Sequence, residues 1–298
     1  MMTKALLHGL LVLLSWLPLP LQYALGGLLG TALALIPNRS RRISQRNLAL
    51  CLPELDSKAR RQLLWQSLRE TARAMLETPL IWRASRRRID ALVRVVYGED
   101  LLDAALARGQ GVIVASPHLG SWEFIGQYLQ GKAPLTSLFK PTDNPAANAL
   151  MQQGRGHLGM ATVPTDAGGV RQLFAILKRG GMVGILPDQD PRDSGVFVPF
   201  FGIPALTMNL LPKLAARSQA TVLVGYAERL PWGRGYEIHL LPCDPAINSE
   251  HIQASASALN AAVEAAVRQC PVQYQWSYKR FRSRPAGVAN WYAKRDGN

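Results

Sequence analysis

From Val93 to Leu241 the chain alternates between short apolar runs and amphipathic helical patterns, and this alternation limits its fold more than any other feature. Val93–Tyr97, Val112–Ser116, Leu135–Phe139, Met182–Leu186, Thr221–Tyr226 and Tyr236–Leu241 have the length and residue types of strands. Between them, Leu101–Ala107, Trp122–Leu129, Ala146–Leu158, Val170–Lys178 and Leu206–Arg217 repeat apolar residues at helical spacing. Strands that alternate with helices predict an α/β sheet with covered faces. Residues 251–269 close the pattern, with Ile252, Ala256, Leu259, Val263 and Val267 on one helical face. Upstream, Ser57 to about Ile81 reads as a long helix, with cap chemistry at Asp56-Ser57 and an end weakened by Pro79. With 298 residues, 48% apolar and 18% charged, the chain has the material for a well-buried core and is not globally disordered.

The N-terminus differs. Ala5 to Ile36 carries no charged side chain, and Pro18 and Pro20 divide it into Leu6–Leu17 and Leu21–Ile36. A bilayer span needs roughly 20 apolar residues. The whole stretch is long enough, whereas each half is short, so it predicts one kinked span or two helices lying in the interface. Arg39, Arg41, Arg42 and Arg46 follow at once. By the positive-inside rule they put the remainder in the cytoplasm, and they suit anionic headgroups. The expected division is an anchor over residues 1–38 and a globular domain over residues 39–298. The excess of 34 basic over 20 acidic residues, a net +14, implies an anionic partner, lipid or nucleic acid. The basic residues are scattered rather than gathered on a nucleic-acid module. Cys51, Cys243 and Cys270 are few and far apart, which supports neither a zinc ribbon nor a disulfide framework.

The stretch Val112-Ile113-Val114-Ala115-Ser116-Pro117-His118-Leu119-Gly120-Ser121-Trp122-Glu123 concentrates the chemistry. Pro117 ends a buried strand, so His118 sits at a strand's carboxyl end, where open α/β sheets hold ligands. A helix is expected to start near Gly120-Ser121. On one continuous helix His118 and Glu123 would point about 140° apart. They meet only if His118 precedes the helix and Glu123 lies in its first turn. A carboxylate beside a histidine fixes its tautomer and stabilises the imidazolium, leaving the other nitrogen free as a base. The competing reading is a histidine that ends a strand and a glutamate that faces water.

The His-x4-Glu spacing resembles the signature of glycerolipid-type acyltransferases. Later segments narrow the resemblance: Phe139-Lys140-Pro141-Thr142-Asp143-Asn144-Pro145, Arg155-Gly156, Leu186-Pro187-Asp188-Gln189, Val198-Pro199-Phe200-Phe201-Gly202, and the run Pro271 to Pro285. The ordered set is similar to the late (secondary) acyltransferases of lipid A biosynthesis. The resemblance implies a mixed sheet flanked by helices in an α/β/α arrangement behind an N-terminal membrane-anchor helix. It implies transfer of a fatty acyl chain from a thioester, acyl carrier protein or coenzyme A, to a hydroxyl of a lipid A precursor. It also implies the cytoplasmic face of the inner membrane as the place, and no metal or other cofactor.

On this resemblance His118, Glu123 and Arg155 are the expected catalytic residues, with Glu123 orienting the imidazole. Lys140, Asn144, Asp188 and Gln189 are the expected substrate-binding residues. Lys140 stands where the family has arginine and lacks the bidentate fork. Tyr278 stands where the family often has histidine and is assigned no chemistry. Asp188-Gln189-Asp190 lacks a third ligand for magnesium, and Phe200-Phe201 fits core as well as an acyl slot. Two other functions fit parts of the sequence. One is an acyltransferase for lysophosphatidate or another glycolipid. The other is a non-catalytic, membrane-tethered binder of anionic lipid or nucleic acid.

Overall fold

Every residue of Val112–Ala115 is buried, because its side chains alternate between two covered faces of a sheet. Val112 and Val114 join one core cluster, and Ile113 and Ala115 join the other. The computed structural model describes residues 4–192 and 194–293. In chain order its elements are α1 (Lys4–Trp16), α2 (Leu19–Leu35), α3 (Arg39–Cys51), α4 (Ser57–Arg83), α5 (Arg86–Leu92), β1 (Val93–Tyr97), α6 (Glu99–Ala107), β2 (Val112–Ala115), α7 (Trp122–Lys132) and β3 (Leu135–Phe139). There follow α8 (Pro145–Gly156), β4 (Ala161–Pro164), α9 (Ala167–Lys178), β5 (Met182–Ile185), β6 (Val196–Phe200), β7 (Ile203–Thr207), α10 (Leu210–Ser218), β8 (Thr221–Arg229), β9 (Tyr236–Pro242) and α11 (Ile252–Gln269).

Seven strands form one sheet in the order β1-β9-β8-β2-β5-β3-β4. Only β8 and β9 pair antiparallel, so the sheet is mixed, as expected. Leu173 and Leu177 of α9, Leu211 and Leu214 of α10 and Leu259, Val263 and Val267 of α11 cover one face. Ile89 of α5, Leu102 of α6 and Phe124, Ile125 and Leu129 of α7 cover the other. The result is an α/β/α sandwich.

One sequence expectation is corrected. Leu206–Arg217 is not a single helix: Ile203–Thr207 pairs with Val196–Phe200 as the hairpin β6–β7, and the helix begins at Leu210. Phe200 and Phe201 point into the core against Tyr274, Trp276 and Phe281. They are core residues.

The N-terminal stretch expected to anchor the chain forms two short helices, broken at Leu17-Pro18, with Pro20 in the first turn of α2. Among the described residues, no single helix is long and apolar enough to cross a membrane; α2 and α3 meet that length and composition only as a pair bent by 80°. Helix α2 lies on α4 through glycines. A Cβ on Gly30 would fall 2.3 Å from the Arg69 Cα, and one on Gly26 would fall 2.8 Å from the Arg73 Cα, so only glycine lets the two backbones approach this closely. The opposite side of α2 exposes Leu21, Leu25, Leu28 and Leu29, and Leu13 and Trp16 of α1 are exposed as well. Helix α4 is in turn fixed to the sheet by a buried network. Arg229 of β8 donates to Glu70 (3.0 Å) and Glu77 (3.1 Å), and the Tyr236 hydroxyl donates to Glu77 (3.1 Å).

Candidate active site

Strands β2 and β5 are parallel neighbours, with Ala115 opposite Ile185. Three residues beyond that pair, on each side, stand His118 and Asp188. Both follow an X-Pro step that ends the strand, Ser116-Pro117 and Leu186-Pro187. Register alone therefore brings an imidazole and a carboxylate together at the carboxyl end of the sheet. The His118 Nδ1 lies 2.8 Å from the Asp188 Oδ1, and the His118 backbone N–H donates to the Asp188 Oδ2 at 3.0 Å. With Nδ1–H donating to the carboxylate, Nε2 is the unprotonated nitrogen. The Gln189 Nε2 stands 3.2 Å from it and donates to it in that tautomer.

The turn after His118 is held from two sides. The Gln275 N–H donates to the His118 carbonyl at 3.0 Å, Gly120 N–H to the Gln273 carbonyl at 3.1 Å and Ser121 N–H to the Ala227 carbonyl at 2.8 Å. Gly120 has φ +60°, and a Cβ there would sit 2.1 Å from the Ala227 oxygen. Glycine is needed at this position for both conformation and space. Helix α7 then starts at Trp122, as the sequence suggests, with Glu123 in its first turn.

The expected contact between His118 and Glu123 is not the one formed. Asp188, expected to bind substrate, holds the imidazole instead. Glu123 is buried and turned to Arg155 of α8, which donates from Nη2 to Oε1 at 2.6 Å and from Nε to Oε2 at 3.1 Å. The Trp82 indole of α4 donates to the same Oε2 at 2.8 Å. The physical reason is reach: α7 turns Glu123 toward α4 and α8, whereas β5 delivers Asp188 alongside His118.

Burial pushes the Glu123 carboxyl up, but the charge and hydrogen bonds of Arg155, the Trp82 bond and the charge of His118 outweigh it. They hold Glu123 below its ordinary value. Burial likewise opposes ionisation of Asp188, and the charge and hydrogen bonds of His118 bring it below the usual carboxylate range. Burial would lower Arg155, but Glu123 holds it above its ordinary value. Glu123 and Arg155 are therefore a buried ion pair whose charges compensate one another.

A slot opens beside these groups, between α7 and the sheet. Glu123, Arg155 and Trp122 stand in its lining with Val114, Ile125, Leu129, Leu135 and Met160. The Trp122 ring lies 5.2 Å from the His118 ring, so the slot adjoins the imidazole. Two glycines, Gly126 and Gly184, also line it.

The remaining expected residues fall elsewhere. Asn144 caps α8, accepting from Ala146 N–H (3.0 Å) and Ala147 N–H (3.2 Å), and it is exposed. Lys140 is exposed after β3. Asp190 accepts from the Ser283 N–H (2.7 Å) and hydroxyl (3.1 Å) and from the Arg192 N–H (2.8 Å), which ties down the C-terminal segment. Trp82 is the site residue that sequence reasoning missed, and no motif marks it. Among the described residues, one set has ligand atoms close enough for a metal: Glu228, Glu237 and His239, within 4.8 Å of one another. None of them belongs to the His118 cluster.

An α/β/α fold that pairs His118 with a carboxylate at a strand end, beside an apolar slot, defines a class able to activate a hydroxyl against an acyl group. Residues 1–283 match the family model of the bacterial lipid A biosynthesis acyltransferases. The chain belongs to that family and is an O-acyltransferase. It is 30% identical over 289 residues to the lipid A biosynthesis lauroyltransferase of Escherichia coli K12, covering 95% of this chain and 92% of the relative. The lipid A biosynthesis palmitoleoyltransferase of the same organism is 28% identical, covering 95% of this chain and 93% of that one. A phosphatidylinositol mannoside acyltransferase of Mycobacterium tuberculosis is 32% identical over 158 residues, which is 51% of this chain and 48% of the relative.

Proposed function

We propose that the chain moves a fatty acyl group from a carrier thioester, acyl carrier protein first and coenzyme A second, to a hydroxyl of a lipid A precursor. The observation that carries this reading is the His118–Asp188 pair at 2.8 Å beside the apolar slot. An alcohol is a weak nucleophile at neutral pH and needs a base at hydrogen-bond distance. In the proposed step the acceptor hydroxyl displaces Gln189 from the His118 Nε2. Its oxygen attacks the thioester carbonyl carbon as Nε2 takes its proton. The tetrahedral intermediate then collapses, the C–S bond breaks, and the imidazolium returns the proton to the departing thiolate. The products are an ester and a free carrier thiol. No enzyme nucleophile is consumed.

Asp188 fixes the tautomer and stabilises the imidazolium. Glu123 adds negative charge near the ring while Arg155 keeps that carboxylate ionised and placed. Exposed Leu13, Trp16, Leu21, Leu25, Leu28 and Leu29, beside Arg39, Arg41 and Arg42, suit an anionic bilayer surface. The reading therefore places the protein on the cytoplasmic face of the inner membrane, with α1 and α2 in the interface. The test is purified protein in anionic vesicles with an acyl carrier thioester and a lipid A precursor. Appearance of a product one acyl ester heavier supports the proposal. Acylation of lysophosphatidate but not of the lipid A precursor would move the assignment to the glycerolipid substrate, and thioester-independent binding alone would remove it.

A further inference from the structure

Strand β8 ends at Arg229 and turns back into β9 through Pro231-Trp232-Gly233-Arg234-Gly235. The Leu230 N–H donates to the Gly235 carbonyl at 2.9 Å and closes the turn. At its tip Trp232 has φ +64°, in the left-handed region. A bulky side chain is strained there and glycine is not. The Trp232 ring is 78% exposed, more than any other large apolar side chain among the described residues. The fold therefore gains almost no burial from this ring, at a position where the backbone disfavours it.

The neighbours of the turn say what the ring faces. A Cβ on Gly233 would fall 2.7 Å from the Pro20 nitrogen and 2.9 Å from the Leu19 carbonyl carbon, so the turn sits directly on the start of α2. Trp16 and Leu21, 73% and 45% exposed, flank that start in the chain. The turn thus continues the exposed apolar side of α1 and α2. Arg94 and Arg234, both exposed, border it. Among the described residues their guanidinium groups bond to backbone carbonyls only, Arg94 Nε to Arg234 at 2.6 Å and Arg234 Nε to Pro231 at 3.2 Å. An exposed indole among uncompensated cations has the composition of a membrane–water boundary. Strand direction adds an orientation. Strand β8 runs parallel to β2, and the Ser121 N–H donates to the Ala227 carbonyl of β8. Trp232, further along the chain, therefore stands beyond the end of the sheet that carries His118.

Resting on the reading that α1 and α2 lie in the bilayer interface, we propose that the β8–β9 turn is a second contact with an anionic bilayer, seating the Trp232 indole at headgroup depth with Arg94 and Arg234 on lipid phosphates. A single contact through α1 and α2 leaves the sheet free to turn about them. Two contacts fix its tilt, so that its carboxyl end, and His118 with it, faces the membrane from which a lipid hydroxyl comes.

The experiment uses the full chain with vesicles of phosphatidylglycerol and phosphatidylethanolamine, with and without bromine on the acyl chains. Bromine quenches a nearby indole, and the difference between wild type and Trp232→Phe isolates this ring. The proposal predicts that brominated vesicles quench wild type more than Trp232→Phe. Trp232→Gly removes the ring and relieves the backbone, so it folds with an undiminished melting temperature. It should partition onto the vesicles about tenfold more weakly than wild type, and the ratio of its transfer rate in vesicles to that in detergent micelles should fall as well. Equal quenching and equal partitioning, with wild type still bound to the vesicles, would overturn the second contact alone. Wild type that does not bind the vesicles would overturn the reading of α1 and α2 together with it. A Trp232 signal that follows protein concentration and ignores vesicles would give the turn to a second copy of the chain, and would also overturn the proposal.

Discussion

Replacing Asp188 with asparagine separates the two carboxylates that compete for the role of orienting His118. In the native site the Asp188 Oδ1 accepts from the imidazole Nδ1–H at 2.8 Å and Oδ2 accepts from the backbone N–H of the same residue at 3.0 Å. An asparagine of the same shape keeps one acceptor and offers one amide donor. With the oxygen retained on the backbone N–H, the amide N–H faces Nδ1 and moves the ring proton to Nε2. The base is then blocked, and the charge that stabilised the imidazolium is gone. In a Ser-His-Asp triad the same exchange lowers kcat by about 10⁴. Here we expect a fall of about 10³–10⁴ in kcat with KM nearly unchanged, which corresponds to about 4–5 kcal/mol of barrier at 1.36 kcal/mol per factor of ten. The assay is steady-state transfer from carrier thioester to lipid A precursor, with circular dichroism to confirm folding. A folded Asp188→Asn enzyme within tenfold of wild type would refute the reasoning. If Glu123→Gln alone then abolished turnover without loss of stability, the orienting role would return to Glu123.

Other outcomes follow from the same structure. Asp188 and Glu123 both ionise below their ordinary range in the folded chain. Their stabilisation is therefore fully present above the unfolded carboxylate pKa, about 4, and is lost as pH falls through the folded values. Melting temperature followed from pH 7 to pH 3 should drop more steeply at the acid end for wild type than for Asp188→Asn with Glu123→Gln, and parallel curves would contradict this. Gly30→Ala puts a methyl 2.3 Å from the Arg69 Cα, which the backbones must move apart to accept. We expect a loss of about 1–3 kcal/mol in denaturant unfolding, and an unchanged midpoint would mean that α2 is not seated on α4. Trp16→Glu with Leu28→Glu places charge on the exposed apolar side and should weaken flotation with anionic vesicles at least tenfold, about 1.4 kcal/mol. Unaltered flotation would exclude α1 and α2 as the lipid contact.

The central strands Val112–Ala115 and Met182–Ile185 are legible because strands buried on both faces read as short apolar runs, and the outer strands are legible from their β-branched and aromatic residues. Val93–Tyr97 and Leu135–Phe139 have the same limits in both readings. The hairpin β6–β7 was hidden by its prolines: Pro199 and Pro204 face each other in register, and proline argues against a strand unless the strand is at an edge. β4 was missed because it is four residues long and only Val163 of it is buried. Within the site, His118 at a strand end is legible from the sequence and Arg155 and Glu123 from the resemblance, but the pairing of Arg155 with Glu123 is not, because it depends on α7 turning Glu123 toward α8. The pairing of His118 with Asp188 is not legible either, because 70 residues separate them and only strand order makes them neighbours. The repeated X-Pro-His and X-Pro-Asp endings were the available clue. Trp82 had none, since its place beside Glu123 depends on how α4 crosses the sheet.

The central claim is that the His118 imidazole takes the proton of a lipid hydroxyl as that oxygen attacks a thioester. A single-turnover experiment tests it most directly, with ester formed and carrier thiol released both counted by mass spectrometry for wild type and for a folded His118→Ala chain. The account predicts one ester for each thiol in the wild type and a loss of about 10²–10⁴ in rate without the imidazole. Thiol released without ester, or wild-type rates from His118→Ala, would contradict it.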